Sequence, residues 1–402
     1  MERPLEGILA IDCGLYHAGP GGLAILGDLG AEVIKVEQPG GEPLREMKYV
    51  GNVPLELPGG RTLFNEGANR NKKSITIDLK TNKGQEILYR LVRGTDVFMT
   101  NMRRQAVEQM NLTYPQLKTL NQRLIYASVS AFGPKGPDRD KGGFDYQGQA
   151  RSGLMYSMGE ADMPPVVCQF GLIDQVTAIM VSHQIITALF MRERTGRGQE
   201  VHTSILGSAM FLLYFNVLTA QLGKFEIPRH QRSQAHPMRN YYRCSDDRWI
   251  MLTLTPPSRH WGPFCRVMGR PDLENDPRFD TEDKRLEKAE ELVTLFDRLF
   301  ATKTRDEWLK DFAEYDLFCA GVNNLLELVD VIQILENGYL TDFEHPAMGK
   351  IKIPGYPVHF SESLAGTTSA APEIGEHTEE ILTKIGGYSK KEIEAFRSEG
   401  IV

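Results

Sequence analysis

The chain has 402 residues, enough for two or three domains of ordinary size. Its 46 Lys and Arg against 53 Asp and Glu give a net charge of −7, which argues against a nucleic-acid partner because such proteins carry a basic face. We expect neither a signal peptide nor a membrane span, since polar residues interrupt the longest apolar runs. The five cysteines are far apart and form no CxxC pair, which favours a reduced, cytoplasmic protein.

The first third of the chain alternates predicted strands with predicted helices. Gly7–Asp12 and Ala31–Glu37 have strand patterns and flank a short helix, Leu23–Leu29, which follows a Gly-Pro-Gly-Gly turn. The same alternation continues, strand first, over Ser74–Leu79, Gly84–Leu91, Asp96–Thr100, Pro115–Leu120 and Leu124–Ser130. This order predicts an α/β fold with a parallel sheet and helices on both faces.

Two further segments stand out before the pattern changes. Gly133–Gly143 is rich in Gly and predicts an ordered loop. Gln175–Met191 predicts a helix that is apolar on nearly all sides and is therefore buried; it is followed by Arg192, Arg194 and the helix-ending Gly196.

The second half of the chain predicts a smaller domain. A hairpin, charged helical segments and two more strands are expected at Tyr241–Cys244 with Trp249–Thr253, at Thr281–Val331, and at Ile351–Pro354 with Val358–Phe360. Two short helices end the chain. We therefore expect a large domain in residues 1–224, a small domain in 225–330, and a return to the large domain in 331–402.

Phosphate-binding signals are weak. The chain has no GxxxxGK[ST], HExxH or GxSxG motif, and Pro20 stands where a dinucleotide-binding turn needs a backbone N–H. A turn that packs a helix on the sheet is therefore the simpler interpretation of this segment. Two basic clusters favour either phosphate contacts or a solvated charged face: Arg70, Lys72, Lys73 and Lys80, then Arg103 and Arg104.

Asp174 precedes the long apolar helix and allows two interpretations. It could cap the helix, or it could be a nucleophilic carboxylate held ionised by backbone N–H groups and the helix dipole. The spacing does not decide between them. The nine histidines include no pair at metal-ligand spacing, so no metal site is predicted; His17 lies beside the glycine turn, near the predicted site.

Several motifs occur in a characteristic order along nearly the whole chain: LGDLGAEVIKVE at Leu26–Glu37, Asn71–Ile75, Asn101–Arg103, Gly143–Asp145, TGRGQ at Thr195–Gln199 and Gly375–Thr378. In this order they resemble the class III CoA-transferase family, which includes formyl-CoA, carnitine and bile-acid CoA-transferases. The resemblance implies a Rossmann-like large domain built from both chain ends and a smaller α+β domain. It also implies an interlocked homodimer, or a heteromer with a homologous subunit.

The resemblance also implies a reaction. Asp174 holds the place of the family's nucleophilic aspartate, so CoA would pass between carboxylic acids through an aspartyl anhydride and an aspartyl-CoA thioester. Acyl-CoA would be a substrate, with no permanently bound cofactor. Matching the family's CoA site and its acidic position near the nucleophile, residue by residue, selects His17, Ala18, Gln38, Ile77, Leu79, Lys80, Asn101, Met102, Arg103, Arg104 and Asp145.

Two departures from the family pattern concern phosphate binding. Arg104 replaces a Pro, and Gln109 stands where an Arg commonly binds phosphate. That Arg104 substitutes for the missing Arg is a hypothesis.

The acceptor acid is less defined. Five aromatic residues suggest either a pocket for an aromatic or hydroxy acid or ordinary core packing: Phe211, Tyr214, Phe215, Phe225 and Tyr241. A succinyl-CoA-like donor is expected. The alternative is an α-methylacyl-CoA racemase of the same fold, but that chemistry needs a His/Asp pair and Gly142–Gln147 contains no His.

Overall fold

The computed structural model describes all 402 residues, which divide into two units. The first contains Met1–Tyr156, Val167–Phe225 and Leu335–Val402, so it includes both chain ends. The second contains Ser157–Val166 and Glu226–Ile334. The sequence did not indicate that the short segment Ser157–Val166 groups with the second unit.

The first unit is built on a six-stranded sheet in which every neighbouring pair is parallel. Its strands are β1 (Leu9–Asp12), β2 (Glu32–Glu37), β3 (Lys72–Thr76), β4 (Val97–Thr100), β5 (Ile125–Ser130) and β6 (Glu200–Ser204). Their spatial order is 3-2-1-4-5-6, the doubly wound order in which ligands bind beyond the carboxyl ends of the strands, where the order reverses. The predicted parallel sheet is confirmed.

Ten helices connect and cover these strands: α1 (Pro20–Asp28), α2 (Leu63–Asn69), α3 (Asn82–Val92), α4 (Arg104–Gln109), α5 (Tyr114–Leu120), α6 (Asp145–Ser152), α7 (Leu154–Ser157), α8 (Leu172–Thr195), α9 (Ile205–Leu212) and α10 (Tyr214–Gly223). Two small hairpins pair Tyr49–Val50 with Val53–Pro54 and Glu56–Leu57 with Arg61–Thr62. The glycine turn belongs to α1, because Gly19 is its N-cap and Pro20 its first residue.

The two faces of the sheet differ in polarity. On one face, Ile11, Ile34 and Phe98 belong to an apolar core that also contains side chains of α3 and α5. Because side chains alternate along a strand, Asp12 and Lys35 lie on the other face, where α1 and α8 pack against each other. That polar face, fully buried, is where the candidate site is built.

Helix α8 is longer than predicted, with 24 residues, and is not buried all round. One side, which includes Ala178 and Val181, packs against α1, while Ile179 and Phe190 are exposed. By length and composition alone α8 could cross a membrane, contrary to our expectation. The same holds for α9 and α10 if these two helices, which meet at a 73° bend, are counted as a single span. The packing of α8 on α1, β5 and β6 is that of a core helix.

The second unit is a small α+β structure. Strands β7 (Tyr241–Arg243), β8 (Trp249–Leu252) and β9 (Cys319–Val322) form an antiparallel sheet in that order. Four helices, α11 (Pro257–Val267), α12 (Glu282–Glu287), α13 (Ala289–Phe300) and α14 (Arg305–Glu314), follow or intervene. Aromatic side chains dominate its core, with Tyr242 stacked on Phe300 at 4.6 Å between ring centroids.

The rest of the chain follows with α15 (Ile332–Glu336), the hairpin β10 (Leu340–His345) and β11 (Gly349–Pro354), then α16 (Thr378–Lys384) and α17 (Lys390–Ser398). Short 3-10 turns occur at Pro43–Glu46, Pro58–Gly60, Arg232–Gln234, Pro271–Leu273 and Glu327–Asp330. The predicted strand Val358–Phe360 is wrong: this segment is not a strand, and β11 pairs instead with β10, which precedes β11 in the chain. The edge strand β6 was not predicted, since its sequence EVHTS has little apolar character.

Candidate active site

Buried charges hold the loop that joins β1 to α1. Oδ1 of Asp12 accepts the N–H of Gly14 at 2.9 Å, and Nζ of Lys35 donates to the carbonyl of Gly14 at 2.6 Å. Lys35 also pairs with Glu42 at 3.0 Å, and Glu42 accepts the N–H of Tyr16 at 3.1 Å. The loop therefore has little freedom to move away from the sheet.

Lys72 completes this network from β3. Its Nζ lies 2.6 Å from Oδ2 of Asp12 and donates to the carbonyl of Pro20 at 2.8 Å. Burial lowers the pKa of Lys72 to about 8, although Asp12 opposes the shift. Neither interpretation of the first basic cluster fits this residue, which is a buried structural cation. Arg70 pairs with Asp28, and Lys73 with Glu32.

His17 projects from the same loop toward α8. Its Nε2 lies 2.7 Å from Oε1 of Gln175, and a Cβ at Gly21 would come within 2.9 Å of the imidazole ring. Burial lowers the pKa of His17, so the ring is neutral at physiological pH. Nδ1 is buried and has no hydrogen-bond partner, which leaves one polar atom of this ring free for a ligand.

Asp174 lies at the start of α8 but does not cap it. The N-cap is Gly171, with a left-handed φ of 70°, and Asp174 is the third residue of the helix. Its Oδ1 is buried without a hydrogen-bond partner. Both the cap interpretation and the idea that backbone N–H groups hold this carboxylate ionised are therefore wrong.

Asp145, the first residue of α6, takes the place of the missing cap. Its Oδ2 accepts the backbone N–H of Ile173 at 2.6 Å and that of Asp174 at 3.1 Å. Burial, and then the negative charge of Asp145, raise the pKa of Asp174 to about 7. The two carboxylates thus have separate roles: one binds the helix start, and the other is left unpaired.

Asn101 connects the carboxyl ends of two adjacent strands. It follows β4, accepts the N–H of Leu15 at 2.7 Å and donates to the carbonyl of Leu15 at 2.6 Å. The side chain of Met102 packs at the border of the apolar core, and Ala18 is buried in the loop after β1. The structure therefore brings the β1 and β4 loops together, as their predicted role requires.

The remaining predicted CoA contacts differ in accessibility. Ile77 is buried in the apolar core and Leu79 packs at its edge, whereas Lys80 and Gln38 are exposed. Gln38 donates to the carbonyl of Gly41 at 3.0 Å. The side chain of Ile77 has 1% of its surface exposed, so a ligand near it would meet backbone rather than side chain.

The two arginines after β4 have different surroundings. The guanidinium of Arg103 packs against Gly142, where a Cβ would lie 2.7 Å from Nη2. Arg104 is exposed and pairs with Glu108 at 2.8 Å. Arg104 and Gln109 are one turn and a half apart on α4, and both are exposed.

The aromatic residues suggested for an acyl pocket are neither enclosed nor in the core. Phe211, Tyr214, Phe215 and Phe225 of the first unit are each more than half exposed, and Tyr241 of the second unit is 39% exposed. Their exposure contradicts the core interpretation.

Sequence reasoning missed the charged residues that shape the loop after β1. Lys35, Glu42 and Lys72 are within 5% of complete burial, although charged residues are rarely buried unless paired. A signal was present: in EVIKVE and NKKSIT, Lys35 and Lys72 occupy positions that alternate with core residues in strands of a sheet covered on both faces.

Comparison with known proteins agrees with this geometry. The family model described as CoA-transferase family III matches residues 5–378. The chain belongs to this family. As a member it is an acyl-CoA:carboxylate CoA-transferase, with CoA carried by its substrates.

Two relatives and a solved structure illustrate the match. The transferase is 32% identical over 399 residues to (R)-2-hydroxy-4-methylpentanoate CoA-transferase of Clostridioides difficile, with 99% of each chain covered. It is 30% identical over 393 residues to cinnamoyl-CoA:phenyllactate CoA-transferase of Clostridium sporogenes, with 97% of this chain and 95% of the relative covered. A CAIB/BAIF family protein from Brucella suis aligns with a TM-score of 0.86 at 26% identity, covering 96% and 100% of the two chains.

Proposed function

We propose that the transferase moves CoA from an acyl-CoA donor to a carboxylic acid by covalent catalysis on Asp174. The observation that carries this proposal is the buried Oδ1 of Asp174, which has no hydrogen-bond partner. A partly buried carboxylate with a pKa of about 7 is more basic than an ordinary one. It is therefore a stronger nucleophile toward a thioester carbonyl.

The reaction runs through four acyl exchanges. The Asp174 carboxylate attacks the donor thioester, which forms a mixed anhydride and releases CoA thiolate. The thiolate attacks the aspartyl carbonyl of the anhydride, which gives an aspartyl-CoA thioester and the donor's free acid. The acceptor carboxylate then attacks this thioester, which forms a second mixed anhydride and releases CoA thiolate. The thiolate attacks the acceptor carbonyl of that anhydride, which gives acceptor acyl-CoA and the free carboxylate of Asp174. The acyl groups have similar energies, so no ATP is consumed.

The loop after β1 would stabilise the oxyanion that forms in each step. Hydrogen bonds inside the protein occupy the N–H groups of Leu15, Tyr16 and Gly21. The N–H groups of His17 and Ala18 make no such bond and stand on a loop fixed by buried charges. Donors that are already oriented stabilise a developing negative charge without reorganisation.

The acceptor we propose is a 2-hydroxy or aromatic acid, and the donor is of the succinyl-CoA type. Two relatives act, by their names, on a 2-hydroxy acid and on phenyllactate. In this chain the unpartnered Nδ1 of His17 is a buried acceptor beside Gln175, the neighbour of the nucleophile, and a substrate hydroxyl would fill it. A panel in which short aliphatic acids without a hydroxyl are the best acceptors would contradict this assignment.

We further propose that the enzyme works as an interlocked dimer, of two identical chains or with a homologous subunit. Helices α8 to α10 of the first unit expose many large apolar side chains, a feature that marks protein interfaces: Ile179, Phe190, Met191, Met210, Phe211, Leu212, Tyr214, Phe215, Leu218 and Leu222. A second copy of the chain would cover them. If the partner is an identical chain, light scattering on the purified protein should give twice the monomer mass, about 90 kDa from 45.2 kDa per chain, whereas a monomer mass would favour the homologous subunit.

Peptide mass spectrometry tests the covalent route. The enzyme is mixed with succinyl-CoA, and the aspartyl thioester is trapped with hydroxylamine or borohydride. We expect a modification on the peptide that carries Asp174 and none in Asp174→Asn. An unmodified Asp174 peptide with every donor tried would overturn the proposal.

A further inference from the structure

Gln149 is the most deeply buried amide side chain near the nucleophile, with no exposed surface. It lies on α6 one helical turn after Asp145. We propose that Gln149 is a positioning residue that places Asp174 for attack by holding both the turn before α8 and Asp145. This inference rests on the proposed function of Asp174.

Three hydrogen bonds join the amide to these two partners. Nε2 donates to Oδ1 of Asp145 at 2.5 Å and to the carbonyl of Cys168 at 2.7 Å. Oε1 accepts the N–H of Cys168 at 2.9 Å. One buried side chain therefore links the turn before α8 to Asp145.

The turn that Gln149 holds has an unfavourable backbone conformation. Phe170 has a φ of 64° and Gly171 a φ of 70°, so two successive residues are left-handed directly before α8. For a bulky side chain such as Phe170 this conformation is an outlier that persists only where the surroundings impose it. Gln149 binds the backbone before these residues, at Cys168, and Asp145 binds the N–H groups after them.

The support for this pair is rigid. Gly148, between them on α6, lets the helix approach α9 closely, since a Cβ there would lie 2.4 Å from Cγ2 of Ile205. Asp145 and Gln149 are four residues apart and so project from the same side of α6. The hydrogen bonds from α6 therefore fix both ends of the turn, and the turn fixes the position of Asp174.

Gln149 also contacts the carboxylate of Asp145 directly. Its Nε2–H donates to that carboxylate, while the backbone N–H groups of Ile173 and Asp174 donate from α8. Asp145 is the one charged group that shifts the pKa of Asp174, and His17 is the titratable group that faces Asp145 from the loop. A change at Gln149 should therefore alter the geometry next to the nucleophile, and an acidic substitution should alter the charge there as well.

Two substitutions separate these effects. Gln149→Glu keeps the shape but replaces the donor with a group that is anionic when ionised, which raises the pKa of Asp174. Gln149→Met keeps the volume and adds no charge, but it removes the hydrogen bonds to Asp145 and to the backbone of Cys168. Gln147→Glu is the matched control, because Gln147 is exposed on the same helix and its capping acceptor survives as Glu.

The experiment measures the rate at which saturating succinyl-CoA modifies Asp174, across pH, together with amide exchange of the peptide spanning 168–174. We expect at least a tenfold lower maximal rate in both Gln149 variants, with less than a threefold change in half-saturating succinyl-CoA. The rising limb of the pH profile should move to higher pH in Gln149→Glu but not in Gln149→Met. Exchange should accelerate at least tenfold in Gln149→Met and stay unchanged in Gln147→Glu.

Equal losses in both variants, with the limb at its wild-type pH, would assign Gln149 a purely structural role and overturn the proposal. Wild-type rates and exchange in both variants would overturn it as well. If the wild-type enzyme forms no adduct at all, the proposed function fails, while the exchange data still decide whether Gln149 holds the turn. If Gln149→Met does not fold, the pH profile of the nearly isosteric Gln149→Glu decides between the positioning role and a purely structural one.

Discussion

Asp145 binds the backbone N–H of Asp174 with its own carboxylate, at 3.1 Å, instead of leaving that N–H to a cap on α8. The carboxylates of Asp145 and Asp174 are thus kept close together. Asp145, which does not react, accepts the hydrogen bonds from the N–H groups at the start of α8. Asp174 is left with its Oδ1 buried and unpaired. The arrangement resembles other pairs of acids whose environments give them different ionisation behaviour and different roles.

Replacing Asp145 by Asn should change the pH dependence of acylation in a defined direction. After burial, the charge of Asp145 is the second cause of the raised pKa of Asp174, so Asp145→Asn lowers that pKa. The rising limb of the rate against pH should move below pH 7. The maximal rate should also fall about tenfold, because the new amide N–H₂ faces the donor Nε2 of Gln149.

The control for this experiment is Asp306→Asn, since Asp306 also lies in the first turn of a helix, α14, but is exposed. Its profile should match that of the wild type. A limb that moves to higher pH in Asp145→Asn would contradict the assigned role of the Asp145 charge.

Removing the charge of Asp174 should stabilise the fold at alkaline pH. The folded-state pKa of about 7 exceeds the unfolded value of about 3.9. Stability linked to this group is therefore fully present below pH 4 and is lost as pH rises through 7. Asp174→Asn should be more stable than the wild type by about 2 kcal/mol at pH 8, with the difference vanishing near pH 4.

Chemical denaturation at pH 4.5, 6 and 8 measures this difference. A difference that is constant with pH would show that Asp174 ionises in the native state as it does in an unfolded chain.

A feature of this enzyme can be predicted from the sequence when it depends on residues that are close together in the chain. The strand and helix alternation, and Asp174 at the start of a long apolar helix, are read from neighbouring residues and agree with the structure. The role of Asp145 is not local, because it reaches the helix start from 29 residues away. The charge of Lys72 favours either a phosphate contact or a solvated face, since the sequence does not reveal that its ammonium reaches Asp12 on another strand of the sheet.

Lys72 and its neighbour Lys73 offer a direct comparison of buried and exposed charge. Lys72→Met leaves Asp12 without its closest cation inside the sheet, and breaking a buried pair costs about 3–5 kcal/mol. Lys73→Met removes half-exposed pairs with Glu32 and Glu380, which are worth at most about 1 kcal/mol. Denaturant unfolding of both variants checks this ranking, and equal losses would show that the buried network is not coupled as we describe.

Arg103 and Arg104 should contribute differently to acyl-CoA binding. Arg103 packs against Gly142 and forms no ion pair within the chain, so its charge is available to a phosphate, whereas Glu108 already pairs with Arg104. Arg103→Ala should raise KM for succinyl-CoA about tenfold or more, and Arg104→Ala by less than about threefold, with kcat nearly unchanged in both. Gly142→Ala, whose new Cβ would displace the guanidinium of Arg103, should resemble Arg103→Ala. Steady-state kinetics at low salt decides this. A larger effect at Arg104 would instead support its substitution for the basic residue missing at Gln109.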